Sequence, residues 1–291
     1  MKLTVFTPTY NRRELLARAY ESLKRQTLKD FEWLIVDDGS TDDTRRYVDE
    51  WIREDAVTIR YHYQDNGGKM RAHNAGTLLA VAPLFVCLDS DDYFTDTAVE
   101  DLISAWERAR ALSKEPDKLA GIISHKGKSA AELLSGCDFP VRGESTLYGL
   151  YRQGFKGETT LLFRTDVIRE FPFPEIEGEK YVPEDYIYDK IDAEYCFYVL
   201  PEIITICEIV DNGYTDSLKA LKDNNKTAWY LYYEQRARIT PASLLKWKYL
   251  GYYVIYAGRV AKNPFDNDGI GRLWILSGYL SAAMLKLTGR E

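Results

Sequence analysis

The feature that most constrains this chain is an alternation of two periodicities over its first 125 residues. β-prone runs at 2–7, 31–36, 57–63, 84–88 and 120–124 alternate with helically spaced apolar residues at 12–26, 41–53, 68–82 and 95–112. Leu15, Leu16, Ala19 and Leu23 share one helical face, and Tyr47, Val48 and Trp51 share another. Strand–helix alternation with short connections predicts an α/β fold with a mostly parallel central sheet flanked by helices on both faces. Such sheets bind ligands beyond the carboxyl ends of their strands. Thr7, Tyr10, Asn11, Asp37, Asp38, Asn66 and the run Asp89-Ser90-Asp91-Asp92 all fall at or just after predicted strand ends, so they are expected on one edge. Acids from three loops gathered there repel one another unless a cation or hydrogen-bond donors lie between them.

The residue types suggest what that edge binds. Asp89 and Asp91 at the mouth of a buried strand offer oxygen ligands suited to a hard cation, Mg²⁺ or Mn²⁺, that shares its shell with substrate phosphates. Capping of the next helix by Asp92 or Thr95 is the plainer alternative. In Asp37-Asp38-Gly39-Ser40-Thr41-Asp42, capping accounts for Ser40 and Thr41. It does not require two adjacent acids, whereas a base imide N–H and a ribose hydroxyl would use one. Pro8-Thr9-Tyr10-Asn11-Arg12 forms a stiff turn whose ring could stack on a base. Asn66-Gly67-Gly68-Lys69 puts a flexible turn before a helix, with Lys69 either meeting a phosphate or staying a solvated charge. The chain lacks both G-x-G-x-x-G after its first strand and a Walker P-loop, which disfavours a Rossmann-type dinucleotide site.

Four segments in this order, Thr7-Pro8-Thr9-Tyr10-Asn11-Arg12, Val36-Asp37-Asp38-Gly39-Ser40-Thr41-Asp42, Asn66-Gly67-Gly68 with Ala72-His73-Asn74-Ala75-Gly76, and Leu88-Asp89-Ser90-Asp91-Asp92, closely resemble the inverting family 2 glycosyltransferases of GT-A fold. The resemblance covers roughly residues 1–215. It implies that Pro8, Tyr10 and Asp38 contact the nucleotide base, that Asp89 contacts the ribose or the metal, and that Asp91 binds the metal on the diphosphate. The candidate nucleotide-sugar contacts are thus Thr7, Pro8, Tyr10, Asp37, Asp38, Asn66, Lys69, Asp89 and Ser90, with Asp89 and Asp91 as metal ligands and Mn²⁺ or Mg²⁺ as cofactor. His73 departs from the family, which usually carries Arg there, so a phosphate contact from this position is in doubt.

Further along, the segment 157–167 is similar to the family's strand behind the acceptor cleft. Pro183-Glu184-Asp185-Tyr186 is similar to its Glu-Asp element, which implies Asp185 as catalytic base with Glu184 orienting the acceptor. Capping of the helix that begins at Tyr186 is the bland alternative. Gln235-Arg236-Ala237-Arg238 is not the Q-x-x-R-W motif of processive members, so transfer of a single sugar is expected. Asp211-Asn212-Gly213-Tyr214-Thr215-Asp216 resembles the D-G-x-T turn of bacterial enzymes that build surface polysaccharides. The expected donor is a nucleotide-diphosphate sugar, with uracil as its base, and the expected acceptor a lipid-linked or polysaccharide glycan precursor. A sugar nucleotidyltransferase would instead show a glycine-rich basic N-terminal loop, which Pro8-Thr9-Tyr10 is not. A non-catalytic nucleotide-sugar-binding relative would need no base, yet the sequence has Asp185 as well as Asp91.

Charge sets the remaining expectations. The net charge of −7 argues against a nucleic-acid partner. The segment 241–291 nevertheless has seven basic residues against three acids, leaving −11 for the rest. Its two aromatic-rich apolar runs, 249–258 and 273–285, flank a loop at 263–269. Basic ends with apolar faces suit an interfacial membrane helix, and a helical hairpin packed on the main domain or on a second copy in a homodimer suits them equally. No apolar stretch is long enough to span a bilayer or to serve as a signal peptide. With four dispersed cysteines that have no C-x-x-C spacing, this predicts a cytoplasmic protein, at the inner face of the membrane if the tail docks there. The expected organisation is a GT-A domain over 1–215, divided into nucleotide-sugar (1–125) and acceptor (126–215) halves, followed by a helical region over 216–291.

Overall fold

The computed structural model describes residues 1–207, 218–267 and 269–289. The D-G-x-T-like turn therefore lies outside the described residues. Two compact units emerge, one of residues 1–173 and 187–210, the other of 174–186 and 211–291.

The first unit confirms the alternation. Strands β1 (Leu3–Thr9), β2 (Phe31–Asp37), β3 (Ile59–Tyr63) and β4 (Leu84–Cys87) alternate with helices α1 (Arg13–Lys24), α2 (Thr44–Glu54) and α3 (Lys69–Leu79), and α4 (Ala98–Leu112) follows. The four strands are parallel in the order β3-β2-β1-β4. β1 therefore lies between β2 and β4, and the gap between its end and that of β4 is the switch point where such sheets open a crevice. Beyond β4 the sheet is mixed. β9 (Thr159–Arg164) runs antiparallel between β4 and β6 (Leu119–Ser129), then come β10 (Cys196–Cys207) and the short antiparallel β5 (Asp92–Phe94). Strand β5 starts at Asp92, so neither Asp92 nor Thr95 caps a helix, and α4 begins only after Thr97.

Full burial of β1 and β2 explains their near-continuous apolar runs. On one face Trp33 stacks with Tyr20 and Trp51, and its indole N–H donates to the Thr7 hydroxyl at 2.9 Å. On the other, Phe6 stacks on Phe85. The expected departure at His73 has a packing explanation here. Its ring meets Phe6, Phe85 and Phe173 edge-on at 5.7, 5.6 and 5.1 Å and is buried, a place an arginine's charge could not occupy cheaply.

The second unit contains α8 (Leu218–Asn224), α9 (Lys226–Ile239), α10 (Leu244–Arg259) and α11 (Arg272–Leu287). Its core is built of tyrosines, with Tyr233 stacked on Tyr252 at 4.7 Å and packed near Tyr256. Phenol rings can fill such a core when each hydroxyl finds a partner, as Tyr253 does in donating to the Pro264 carbonyl at 3.0 Å. Glu179 accepts the Thr227 and Ala228 amides and so caps the start of α9. α10 and α11 differ from the hairpin weighed from sequence. The pairs Lys246/Trp274, Trp247/Ser277 and Gly251/Ser281 advance together along both helices, which therefore run in the same sense. The intervening loop returns along the ~24 Å that 16 helical residues cover. A Cβ on Gly278 would meet the Leu250 carbonyl oxygen at 3.0 Å, so the missing side chain sets how closely these helices approach.

Candidate active site

Two polar knots sit at the strand ends of the first unit. The first is built on Asp37 and Asp38, at and just past the end of β2. Asp37 is buried and accepts the Ser40 amide at 2.7 Å and the Tyr61 hydroxyl at 2.6 Å. Asp38 accepts Gln64 Nε2 and the Gly67 amide on one oxygen, the Gly68 amide and Asn66 Nδ2 on the other, at 2.7–3.2 Å. A carboxylate has about four lone-pair sites, and these contacts use them. The adjacent acids thus have a full structural explanation that the sequence did not reveal: one closes its own turn, the other clamps the Asn66-Gly67-Gly68 loop. Gly39 (φ +87°) lets the two turns approach, since a Cβ there would lie 2.8 Å from the Asn66 amide nitrogen. Asn11, itself at φ 51°, ties the β1 turn in by accepting the Thr41 amide at 2.7 Å. Of the β1 candidates, Thr7 and Pro8 are buried, and Tyr10, 47% exposed, presents its ring to solvent.

The second knot lies where β1 and β4 diverge. Arg12 Nη1 is 2.6 Å from Asp91, and Lys69 Nζ is 2.8 Å from Asp89. Lys126, on β6, has its ammonium 2.9 Å from Asp92 and 3.8 Å from Asp89. The repulsion anticipated among the acids is therefore answered by the chain's own cations. Burial works against ionisation of Asp89, yet Lys69, Lys126 and Arg12 hold its carboxyl well below the usual range. Burial pushes Asp92 up, with Asp89 adding to the rise and Lys126 opposing it. Desolvation disfavours the Lys126 ammonium, but Asp89 and Asp92 hold it well above the ordinary lysine value. Ser90 is buried inside this turn.

The donor set is oxygen-only. Asp89 and Asp91 are half-buried and not fully enclosed. Among the described residues no group of three or more His, Cys, Asp or Glu side chains could hold a metal by itself. Two carboxylates fit a hard divalent cation whose remaining ligands are phosphate oxygens and water, and fit a self-contained protein cage poorly.

In the second unit, Asp185 opens α7 (Asp185–Asp192), and its carboxylate is 2.8 Å from Nη2 of the buried Arg236 on α9. Arg236 also lies over the Tyr232 ring. Burial pushes Asp185 above the usual carboxylate range, Arg236 pulls it down, and Glu184 raises it further. Neither Lys126 nor Arg236 was singled out from sequence as a site residue. Lys126 lies in a strand read as ending at Ser124, and Arg236 lies some 50 positions from its partner with no local motif to mark it.

Residues 4–113 match a family described as Glycosyl transferase family 2. The chain is similar to a validoxylamine A glucosyltransferase of Streptomyces hygroscopicus subsp. jinggangensis, at 36% identity over 139 residues, 46% of this chain and 28% of that protein. It is also similar to a GalNAc(5)-diNAcBac-PP-undecaprenol beta-1,3-glucosyltransferase of Campylobacter jejuni, at 28% identity over 206 residues, 68% of this chain and 62% of that protein. The matched segments thus span less than two thirds of either relative's length. Among solved structures, S. aureus TarS 1-349 in complex with UDP-GlcNAc superposes with a TM-score of 0.65 at 18% identity, over 89% of this chain and 73% of that one. The chain has a GT-A-like fold, and its residues 4–113, which carry the switch-point acids, match glycosyl transferase family 2.

Proposed function

We propose that the chain is an inverting, non-processive glycosyltransferase that moves one sugar from a UDP-sugar to a hydroxyl of a lipid-linked or polysaccharide glycan precursor. The observation that carries this reading is the second knot: Asp89 and Asp91, in a family 2 domain, stand at the switch point among Arg12, Lys69 and Lys126. The UDP-GlcNAc complex of TarS supports a UDP-sugar donor, and the undecaprenol-linked substrate named for the Campylobacter relative supports a lipid-linked acceptor.

In this reading Pro8 and Tyr10 line the base pocket, with Thr7 behind them. Asp37, Asp38 and Asn66 frame it by fixing the two turns. Asp91 and Asp89 would hold a Mn²⁺ or Mg²⁺ ion together with the donor diphosphate, and such an ion would supply stabilisation of the charge that develops on the leaving group. Lys69 and Arg12 can exchange their carboxylates for phosphate oxygens. Asp185 takes the proton from the acceptor hydroxyl as its oxygen attacks the anomeric carbon opposite the diphosphate, with Glu184 orienting the acceptor. A carboxyl raised by burial is a stronger base, and Arg236 opposes that rise in favour of the ionised form. The expected working place is the cytoplasmic face of the cell membrane. Incubating the protein with UDP-sugars, Mn²⁺ and undecaprenyl-diphosphate glycans tests the reading. The expected product has the anomeric configuration opposite to the donor's, and a product of unchanged configuration contradicts inversion.

A further inference from the structure

We propose that the outer stripe of α11, together with the first turn of α10, docks the chain on an anionic phospholipid surface, lying in the interface without crossing it. Leu273, Leu276, Leu280, Met284 and Leu287 recur at three- and four-residue spacing and share one face. That face is open: Leu273 is 82% exposed, Leu280 69% and Leu287 87%. The opposite face, with Ile275, Gly278, Ser281 and Leu285, is buried. α11 is therefore apolar on both sides while only one side is covered, and an ordinary surface helix carries polar residues on its outer side. Lys246 lies over the Trp274 ring, which brings the exposed Leu244 and Leu245 of α10 to the same end of the stripe.

Charge decides the occupant. Neither helix carries an acid, and Lys246, Arg272 and Lys286 border or flank the apolar stripe. A twofold contact with a second copy would bring these basic residues against their own equivalents, with no carboxylate on either helix to answer them. Anionic headgroups answer them directly while the leucines enter the acyl boundary. At 16 residues α11 is shorter than the ~20 a spanning helix needs, and no described helix is long and apolar enough to cross a membrane. This deepens the reading of a membrane-borne acceptor and rests on it only for its purpose; vesicle binding needs no transfer assay, so either can fail alone.

The test is co-sedimentation of the full chain with vesicles of phosphatidylcholine alone or mixed with phosphatidylglycerol. Binding is expected only with phosphatidylglycerol, and it should weaken as salt rises. Leu276→Ser with Leu280→Ser should lower the fraction bound roughly tenfold, and Lys286→Gln alone about fivefold. Unchanged circular dichroism shows that the variants remain folded. Equal binding of the double variant, or no binding to anionic vesicles, overturns the proposal. A dimer detected by light scattering that Leu280→Ser dissolves assigns the face to a second copy instead.

Discussion

The two units manage buried charge in opposite ways. At the strand ends of the first, three acids and three cations interlock: Asp89 is shared by Lys69 and Lys126, Asp92 pairs with Lys126, and Asp91 pairs with Arg12. In the second, one carboxylate, Asp185, faces one buried guanidinium, Arg236. A network distributes the loss of any one partner, whereas a single pair makes one group's ionisation depend on one neighbour. The first arrangement suits a site that must accept a highly charged ligand without collapsing. The second suits a group that must stay ionised yet remain basic.

The largest effect that would sharpen this contrast belongs to Asp185. Asp185→Asn is expected to lower transfer by about 10²–10⁴-fold while UDP binding stays intact, as read by steady-state turnover and calorimetry. Full activity in that variant would remove its assignment as base. Next is Lys126→Met, which leaves the buried Asp92 without its cation while Asp89 keeps Lys69, and should cost about 3–5 kcal/mol of stability in urea unfolding. Adding Asp92→Asn should restore part of that, and simple additivity would break the network description. Asp38→Asn puts an amide N–H against the Gly67 or Gly68 amide. An expected loss of about 1.5–3 kcal/mol should come with weaker UDP binding, and no loss would show that the clamp is idle. The smallest effect concerns pH. As the proposed base, Asp185 would have to be deprotonated to act, so activity is expected to fall as pH drops through its raised pKa. Arg236 opposes that rise, so Arg236→Gln should move the acidic limb of the kcat profile to higher pH, and an unmoved limb would show that Arg236 does not tune the base.

The contrast also explains what the sequence made legible. The alternation of β1 to β4 with α1 to α4 was readable because each element carries its own period and ends in its own turn residues. The strand-end acids were readable because topology alone delivers them to one edge. What the acids do there was less visible. Asp37 and Asp38 looked free for a ligand until Tyr61, Gln64 and the Gly67–Gly68 amides supplied their hydrogen bonds, partners set by the pairing of β2 with β3 and the loop that follows. Lys126 was hidden for a related reason. A lysine at this position reads as a solvated charge unless the strand is known to run past Ser124, with Lys126 paired beside β10. The same-sense packing of α10 and α11 depends on small residues at Gly251, Gly278 and Ser281, whose spacing does not declare direction.

The central proposal is that the acids at the β1–β4 switch point would hold a divalent cation together with a nucleoside diphosphate. Calorimetric titration of UDP into the purified chain with Mn²⁺, then with EDTA, then into Asp91→Ala tests it most directly. The account predicts saturable UDP binding with Mn²⁺ that is weakened both by EDTA and by Asp91→Ala. No UDP binding with Mn²⁺ present, or equal binding in all three titrations, would contradict it.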